Sequence, residues 1–366
     1  MNDETQKQRL LKRVVGWIRH HRTTTYAIAG ATLILIASLV TLALLYQKPV
    51  EMVRAPITKA KPKPAPTPTI YYSPLTGQVV ANQAATTQAV TAIMIENSPD
   101  ARPQSGLKQA GVVFEAIAEG GITRFLTLHQ QDKPQIIGPV RSVRSYYVDW
   151  LTAFNASIAH VGGSAAALAE VRNGSYRDID EFFNGAYYWR STDRYAPHNV
   201  YTSFAKLDAL NQAKGYTSSH FTGFTRTDAK PSTPTITKIA IGFGSALYNT
   251  SYTYDKASNS YLRSVGGVPH LDREDGQIAP GVVIAMKVDE STVLEDGYRE
   301  SINAIGSGQA LIFQNGGAQE VTWHKPTQAS QITFTGADGK DYPLIRTQQT
   351  WIAAVPNGVG SVTWQP

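Results

Sequence analysis

The chain of 366 residues contains no cysteine. Disulfides, a thiolate nucleophile, cysteine-based zinc sites and a lipid-bearing cysteine are therefore excluded. The absence does not fix the compartment, because a core of this size needs no disulfides. A basic excess is also missing where it would matter. The formal net charge is +6, yet residues 1–25 hold six Lys/Arg against two acids and residues 26–69 hold five against one, so residues 70–366 carry −2. Nucleic-acid binding calls for a basic patch on the folded part itself, and composition offers no argument for one. There is no internal repeat, no Gly-Lys-Ser/Thr phosphate loop, no full dinucleotide spacing of glycines, no Gly-x-Ser-x-Gly elbow and no His-Glu-x-x-His pair. Neither a cofactor nor a metal is expected from such patterns.

Charge is absent again from "YAIAGATLILIASLVTLALLY", residues 26–46. About 20 apolar residues span a bilayer as a helix, and a cleaved signal peptide has a shorter apolar stretch and a small-residue cleavage site. This segment instead runs into "QKPVEMVR". Its N-terminal flank carries Lys7, Arg9, Lys12, Arg13, Arg19 and Arg22. Positive residues stay cytoplasmic, so the expectation is a basic cytoplasmic tail (1–25), one transmembrane helix (26–46) and everything beyond Tyr46 outside the cell membrane. Residues 47–69 end in "KAKPKPAPTPT", an alternation that favours extended chain and cannot build a core. They read as a stalk.

Beyond the stalk two segments are expected. Residues 70–230 mix strands and helices. "TGFTRTDAKPSTPT" reads as a linker, and residues 236–366 read almost entirely as short strands with turns at Asn315-Gly316-Gly317 and Ala337-Asp338-Gly339. The expected fold is an α/β or α+β first domain followed by a smaller β-rich domain.

Charged residues and glycines gather in the first segment. "GVVFEAIAE" and "ITRFLTLHQ" flank Gly120-Gly121, the signature of a tight hairpin. With a two-residue loop, Glu119 faces Ile122 and Ile117 faces Arg124, which places Glu115 and Glu119 diagonal to Arg124 on one face. In "GPVRSVRSYYVDW" a helix is expected soon after Gly138-Pro139, with Arg141 and Arg144 on one side of its first turns. Cations there oppose the helix dipole, which calls for a compensating partner: either Glu115 or Glu119, or a bound carboxylate or phosphate. "ASIAHVGGSAAALAEVRNG" reads as a strand ending near His160, a turn at Gly162-Gly163, an N-cap at Ser164 and a helix closed by Asn173-Gly174.

The ordered stretches "SPLTG", "ARPQSGL", "FEAIAEGGITRF", "IGPVRSVRSYYVD", "HVGGS" and "PHNVY", followed by "PHLDREDGQ", "GSGQALIFQNG" and "QTWIAAVP", resemble the YerB-like family of bacterial envelope proteins. The resemblance spans nearly all of 72–357. It implies a mixed α/β first domain, a β-rich second domain and an extracytoplasmic location, and it implies no reaction. Members are typically lipoproteins; with no cysteine here, an uncleaved helix takes the place of the lipid.

The candidate site gathers Glu115, Glu119, Arg124, Arg141, Arg144, His160, Gly162, Gly163, Ser164, His198, His270 and Asp272. One reading is an envelope binding or scaffold protein in which the arginines hold an anionic group of a wall polymer or protein partner, with Tyr146, Tyr147, Tyr187, Tyr188 and Trp189 as stacking area. The alternative is an envelope hydrolase, with His160 or His198 as base and Ser164 as nucleophile. The first needs fewer coincidences.

Overall fold

The computed structural model describes residues 3–47, 69–231, 233–292 and 298–366. All of the expected stalk except its two end residues lies outside them. The chain forms two compact units, Met1–Thr67 and Pro68–Pro366. The first contains the helices Asp3–His20 and Arg22–Leu45. The second helix is long and apolar enough to cross a membrane, and none of its residues is buried among the described residues.

The second unit is organised by a ten-stranded mixed sheet. Its spatial order is Thr333–Thr335, Gly317–Lys325, Gly306–Gln314, Val282–Val288, Thr350–Pro356, Val112–Glu119, Ile122–His129, Thr91–Glu96, Ser157–Ala159 and Arg177–Asp178. The central sequences VVIAMKV, TWIAAVP and VVFEAIAE lack polar alternation, and they are the strands covered on both faces. On one face lie the helices Ser145–Thr152 and Ala165–Val171, which bring Tyr147, Trp150, Leu151 and Ala167 against Phe114, Leu126 and Ile284. The Phe114 and Trp150 rings stack with centroids 5.1 Å apart. The other face is covered by the helix Phe204–Ala213 and a five-stranded antiparallel sheet built on Lys238–Gly242, Thr250–Asp255 and Ser260–Val265. Local signals behave as their chemistry requires. Ser164 and Ser203 cap their helices by accepting from Ala167 N and Lys206 N.

The β-rich character of 236–366 is evident: among the described residues that segment contains no helix. A spatial separation at 222–235 is not seen. Thr350–Ala353 pairs in parallel with Val112–Glu115 on one side, while Thr350–Pro356 pairs with Val282–Val288 on the other. The linker is thus a boundary along the chain and not between two bodies. The reason is in the sequence: a strand apolar on both faces must sit inside a sheet, and here both segments supply its neighbours.

A buried ion pair crosses the same junction. Glu115 Oε2 accepts from Arg263 Nη2 at 2.7 Å and from Trp351 Nε1 at 2.9 Å, and Glu115 and Arg263 are both fully buried. The Arg263 guanidinium lies 4.3 Å from the Trp351 ring centre. Losing one partner of such a pair strands a charge in a dry interior, at a cost of about 3–5 kcal/mol. Residues 68–366 are accordingly expected to melt in a single calorimetric transition, and Arg263→Ala is expected to lose about that much unfolding free energy and to melt at a lower midpoint. Two separate transitions, or an unchanged midpoint in the variant, would contradict the fused core.

Candidate functional site

The hairpin contains a feature that pattern reading does not supply. Gly120 and Gly121 adopt the positive φ values of 55° and 75° that the tight turn needs. Glu119 does face Ile122, but the register then shifts, so that Ile117 faces Thr123 and Ala116 faces Arg124. Ala118 is the extra residue of this bulge. One extra residue reverses which face each side chain occupies. Glu115 therefore belongs with Phe125 and Arg263 on one face, and Glu119 reaches Arg124 on the other. The expected grouping of both glutamates with Arg124 is corrected accordingly.

The segment before the first sheet-covering helix also differs from expectation. Residues 138–144 are extended, bridging Ser105 at Gly138, Ile95 at Val140 and Gly163 at Val143; the helix starts at Ser145, with Arg144 at its N-cap. Gly138-Pro139 and the backbone pairing of Val140 and Val143 hold the chain out of the helix. Three residues apart on extended chain means opposite sides. Arg144 joins Arg124 on the two oxygens of Glu119, whereas Arg141 turns to Glu96. Arg124 Nη1 also donates to Ser142 O at 3.0 Å and Arg144 Nη1 to Val143 O at 2.8 Å. All three members of this cluster are buried, so it is a closed structural clamp and does not share an anion site with Arg141 and the His160–Ser164 turn.

The other sequence candidates are structural as well. His160 is fully buried, with Nδ1 2.8 Å from Gly162 O and Nε2 2.9 Å from Asp178 Oδ1, so neither ring nitrogen is free. Ser164 is occupied as a cap, and no histidine among the described residues bonds to it. Gly162 has φ +63°, and a Cβ there would meet the Phe182 ring, while one at Gly163 would meet Val143; these glycines serve packing. His270 lies buried against Gln104 Oε1 at 2.9 Å, and burial pushes its basicity well below the ordinary value. Asp272 accepts from the backbone N–H groups of Lys108, Glu274 and Asp275, tying a loop. Tyr146, Tyr147 and Tyr188 are core side chains; Tyr187 and Trp189 are half-buried.

Two candidates do open to solvent, and a residue that sequence reasoning missed brings them together. Glu96 closes the apolar strand Thr91–Glu96 and is buried. Its Oε1 accepts from His198 Nδ1 at 2.9 Å and Ser98 Oγ at 3.0 Å, and lies 3.5 Å from Arg141 Nε. Arg141 and His198 remain partly exposed, and neither the Arg141 Nη atoms nor His198 Nε2 has a hydrogen-bond partner among the described residues. The signal available in the sequence was a lone carboxylate ending the run "AVTAIMI".

His198 lines an open cleft of about 680 Å³ together with Asp100, Arg102, Pro103, Asp193, Arg194, Tyr195, Ala196 and Arg273. Both segments build it, since Arg273 N donates to Gln104 O at 2.7 Å. Arg194 is fixed by Asp100 O and Pro103 O, and Arg102 by Asn97 Oδ1, Asn97 O and Leu247 O. Neither has a carboxylate partner among the described residues. Arg273 alone is paired, with Asp193.

The model of "Protein of unknown function (DUF3048) N-terminal domain" matches residues 75–217, and that of the DUF3048 C-terminal domain matches residues 239–352. The chain is 34% identical over 291 residues to "Putative lipoprotein YerB" of Bacillus subtilis (strain 168), covering 78% of this chain and 86% of that protein. The chain belongs to the YerB-like family. The crystal structure of YerB protein from Bacillus subtilis superposes with a TM-score of 0.71 at 32% identity, over 80% of this chain and 99% of that one. The fold inferred from the ordered motifs is therefore the family's own. The relative is named a lipoprotein, whereas this chain has no cysteine to carry a lipid.

The two glutamates predict different behaviour. Burial would raise the Glu119 carboxyl, but Arg124 and Arg144 outweigh it and hold it below the ordinary range. A lowered folded value means stability that is present above the unfolded pKa and lost as pH falls through the folded one. Arg144→Ala, which leaves Glu119 paired with Arg124 alone, should cost about 1–3 kcal/mol at neutral pH, and Arg141→Ala no more than about 1 kcal/mol. Urea titrations at neutral and acidic pH check both. Equal losses in the two variants, or a Glu119→Gln variant with unchanged acid sensitivity, would count against the assignment.

Proposed function

We propose that this is a membrane-anchored extracytoplasmic binding protein that takes an anionic group, a carboxylate or phosphate, at Arg141 and His198. One observation carries the reading: a buried carboxylate oxygen lies beside both side chains, and the nitrogens at their tips have no hydrogen-bond partners among the described residues. A guanidinium presents two parallel N–H donors that match a carboxylate or phosphate. Histidine bonded through Nδ1 to a carboxylate offers Nε2 as a second donor in its doubly protonated form, whereas in the neutral form that nitrogen is an acceptor. Catalysis has less support, because Ser98 Oγ donates to Glu96 and stands 3.2 Å from His198 Nδ1, on the wrong side of the ring for activation by Nε2. A wall polymer or an envelope protein could supply the anion.

Two measurements test this. Calorimetric titration of the full chain in detergent with inorganic phosphate and with acetate should show binding that falls at least about tenfold in Arg141→Ala and in His198→Ala, the loss of one charge-assisted contact; unchanged affinity in both folded variants overturns it. For topology, the basic flank of the apolar helix Arg22–Leu45 supports an N-terminus inside. A tag before residue 25 should resist protease in intact cells while a C-terminal tag is digested, and the reverse pattern refutes the orientation.

A further inference from the structure

The helix Asp3–His20 carries an apolar face that nothing among the described residues covers. Successive residues of an α-helix turn by about 100°. On that spacing Leu10, Leu11, Val14, Val15, Trp17 and Ile18 fall within an arc of about 160°, and Arg9, Lys12, Arg13 and Arg19 fall opposite. No charged residue from Leu10 to Ile18 enters the apolar arc. All six apolar side chains are at least 39% exposed. No acid occurs between Glu4 and Glu51, so the opposite face is positive and its own segment does not neutralise it. A second copy of the helix would ask for a narrow apolar seam repeated over several heptads. This face is broad, and it lasts only about two and a half turns.

The position of the helix says what covers it. Only His21 separates it from Arg22–Leu45, the helix apolar enough to cross a membrane. At His21 φ is −118° and ψ is 47°, outside the helical region, so the chain can change direction there. At about 1.5 Å per residue, Trp17 stands within about 8 Å of Arg22 along the chain and Leu10 within about 18 Å. Trp17 is thus at the end nearest the spanning helix, where indole rings gather at membrane boundaries, and its ring stacks on His21 with centroids 5.1 Å apart. Resting on the membrane-anchored part of the reading above, and not on its anion site, we infer that Asp3–His20 is a second membrane contact, lying along an anionic lipid surface. The apolar arc sinks to the boundary of the acyl chains, and Arg9, Lys12, Arg13 and Arg19 meet lipid phosphates. Arg13 and Arg19 border the arc closely enough for their stems to lie on it while their charges stay in the headgroup layer.

Because the chain has no cysteine, one introduced thiol reports on one position. Nitroxide labels on Val15→Cys, Arg13→Cys and Leu35→Cys are compared in the full chain, reconstituted into vesicles of phosphatidylglycerol and phosphatidylcholine. Accessibility is read with oxygen, which concentrates in lipid, and with a water-soluble nickel chelate. The label at position 15 should favour oxygen and lose contact with the chelate, while the label at position 13 stays open to the chelate. Adding Lys12→Gln to the Val15→Cys chain should shift the ratio of seated to free helix toward free on the order of fivefold in these vesicles, and should change nothing in phosphatidylcholine alone. A position-15 label in water with the position-35 label in lipid overturns the inference and leaves the anchor standing. Both labels in water removes the anchor as well. Dipolar broadening between position-15 labels that vanishes on dilution with unlabelled chain assigns the face to a second copy and overturns it. So does an unaltered ratio in the Lys12→Gln chain on anionic vesicles, because the phosphates then contribute nothing.

Discussion

The parallel pairing of Thr350–Ala353 with Val112–Glu115 is the constraint on which the rest of the second unit depends. It joins the two family segments into one sheet and fixes the position of Trp351 beside Glu115. That in turn gives Arg263 a carboxylate to meet and an aromatic face to lie on. The same junction carries His270 against Gln104 and Arg273 against the neighbouring backbone, so the cleft wall is assembled from both halves of the chain. Without this pairing there are two half-cores and no cleft.

Three glutamates near one end of the sheet are put to three uses by small differences in placement. Glu115 is sealed with Arg263 between the sheets. Glu119, carried to the opposite face by a one-residue bulge, is saturated by Arg124 and Arg144 and has no capacity left for a ligand. Glu96 is buried too, but the outer nitrogens of its partners bond to nothing among the described residues. Burial of the carboxylate alone does not distinguish these cases. The difference lies in whether the side chains around it retain nitrogens without partners among the described residues.

Much of the local structure was legible. Ser164 as a cap, Gly120-Gly121 as a turn, the uncharged helix and the β-rich second half all follow from chemistry that acts within a few residues. The errors arose where the decisive interaction was not local. Arg141 and Arg144 looked like one helical face because nothing nearby shows that Val140 and Val143 are held extended by Ile95 and Gly163. The bulge at Ala118 has no composition signature, yet it decides which glutamate meets Arg124. Glu96 and His198 are 102 residues apart and Glu115 and Arg263 are 148 apart, so no spacing rule could pair them. The linker near 222–235 was visible as a break in pattern, but a break in pattern does not reveal that strands on its two sides lie side by side.

The central position of Thr350–Pro356 also bears on the order in which the molecule can be made. These residues leave the ribosome after the other nine strands of their sheet, yet they fill its middle between Val112–Glu119 and Val282–Val288. Until they arrive, both flanking strands present an apolar edge with unpaired backbone groups, the kind of surface that seeks strands from neighbouring chains. The earlier-emerging half therefore cannot complete its fold before that strand appears, unlike a domain that folds as soon as it is made. Closure waits on contacts of very long sequence separation, which slows the final step. A chain stopped shortly before residue 350 would lack the centre of its sheet, with all the remaining strands already present.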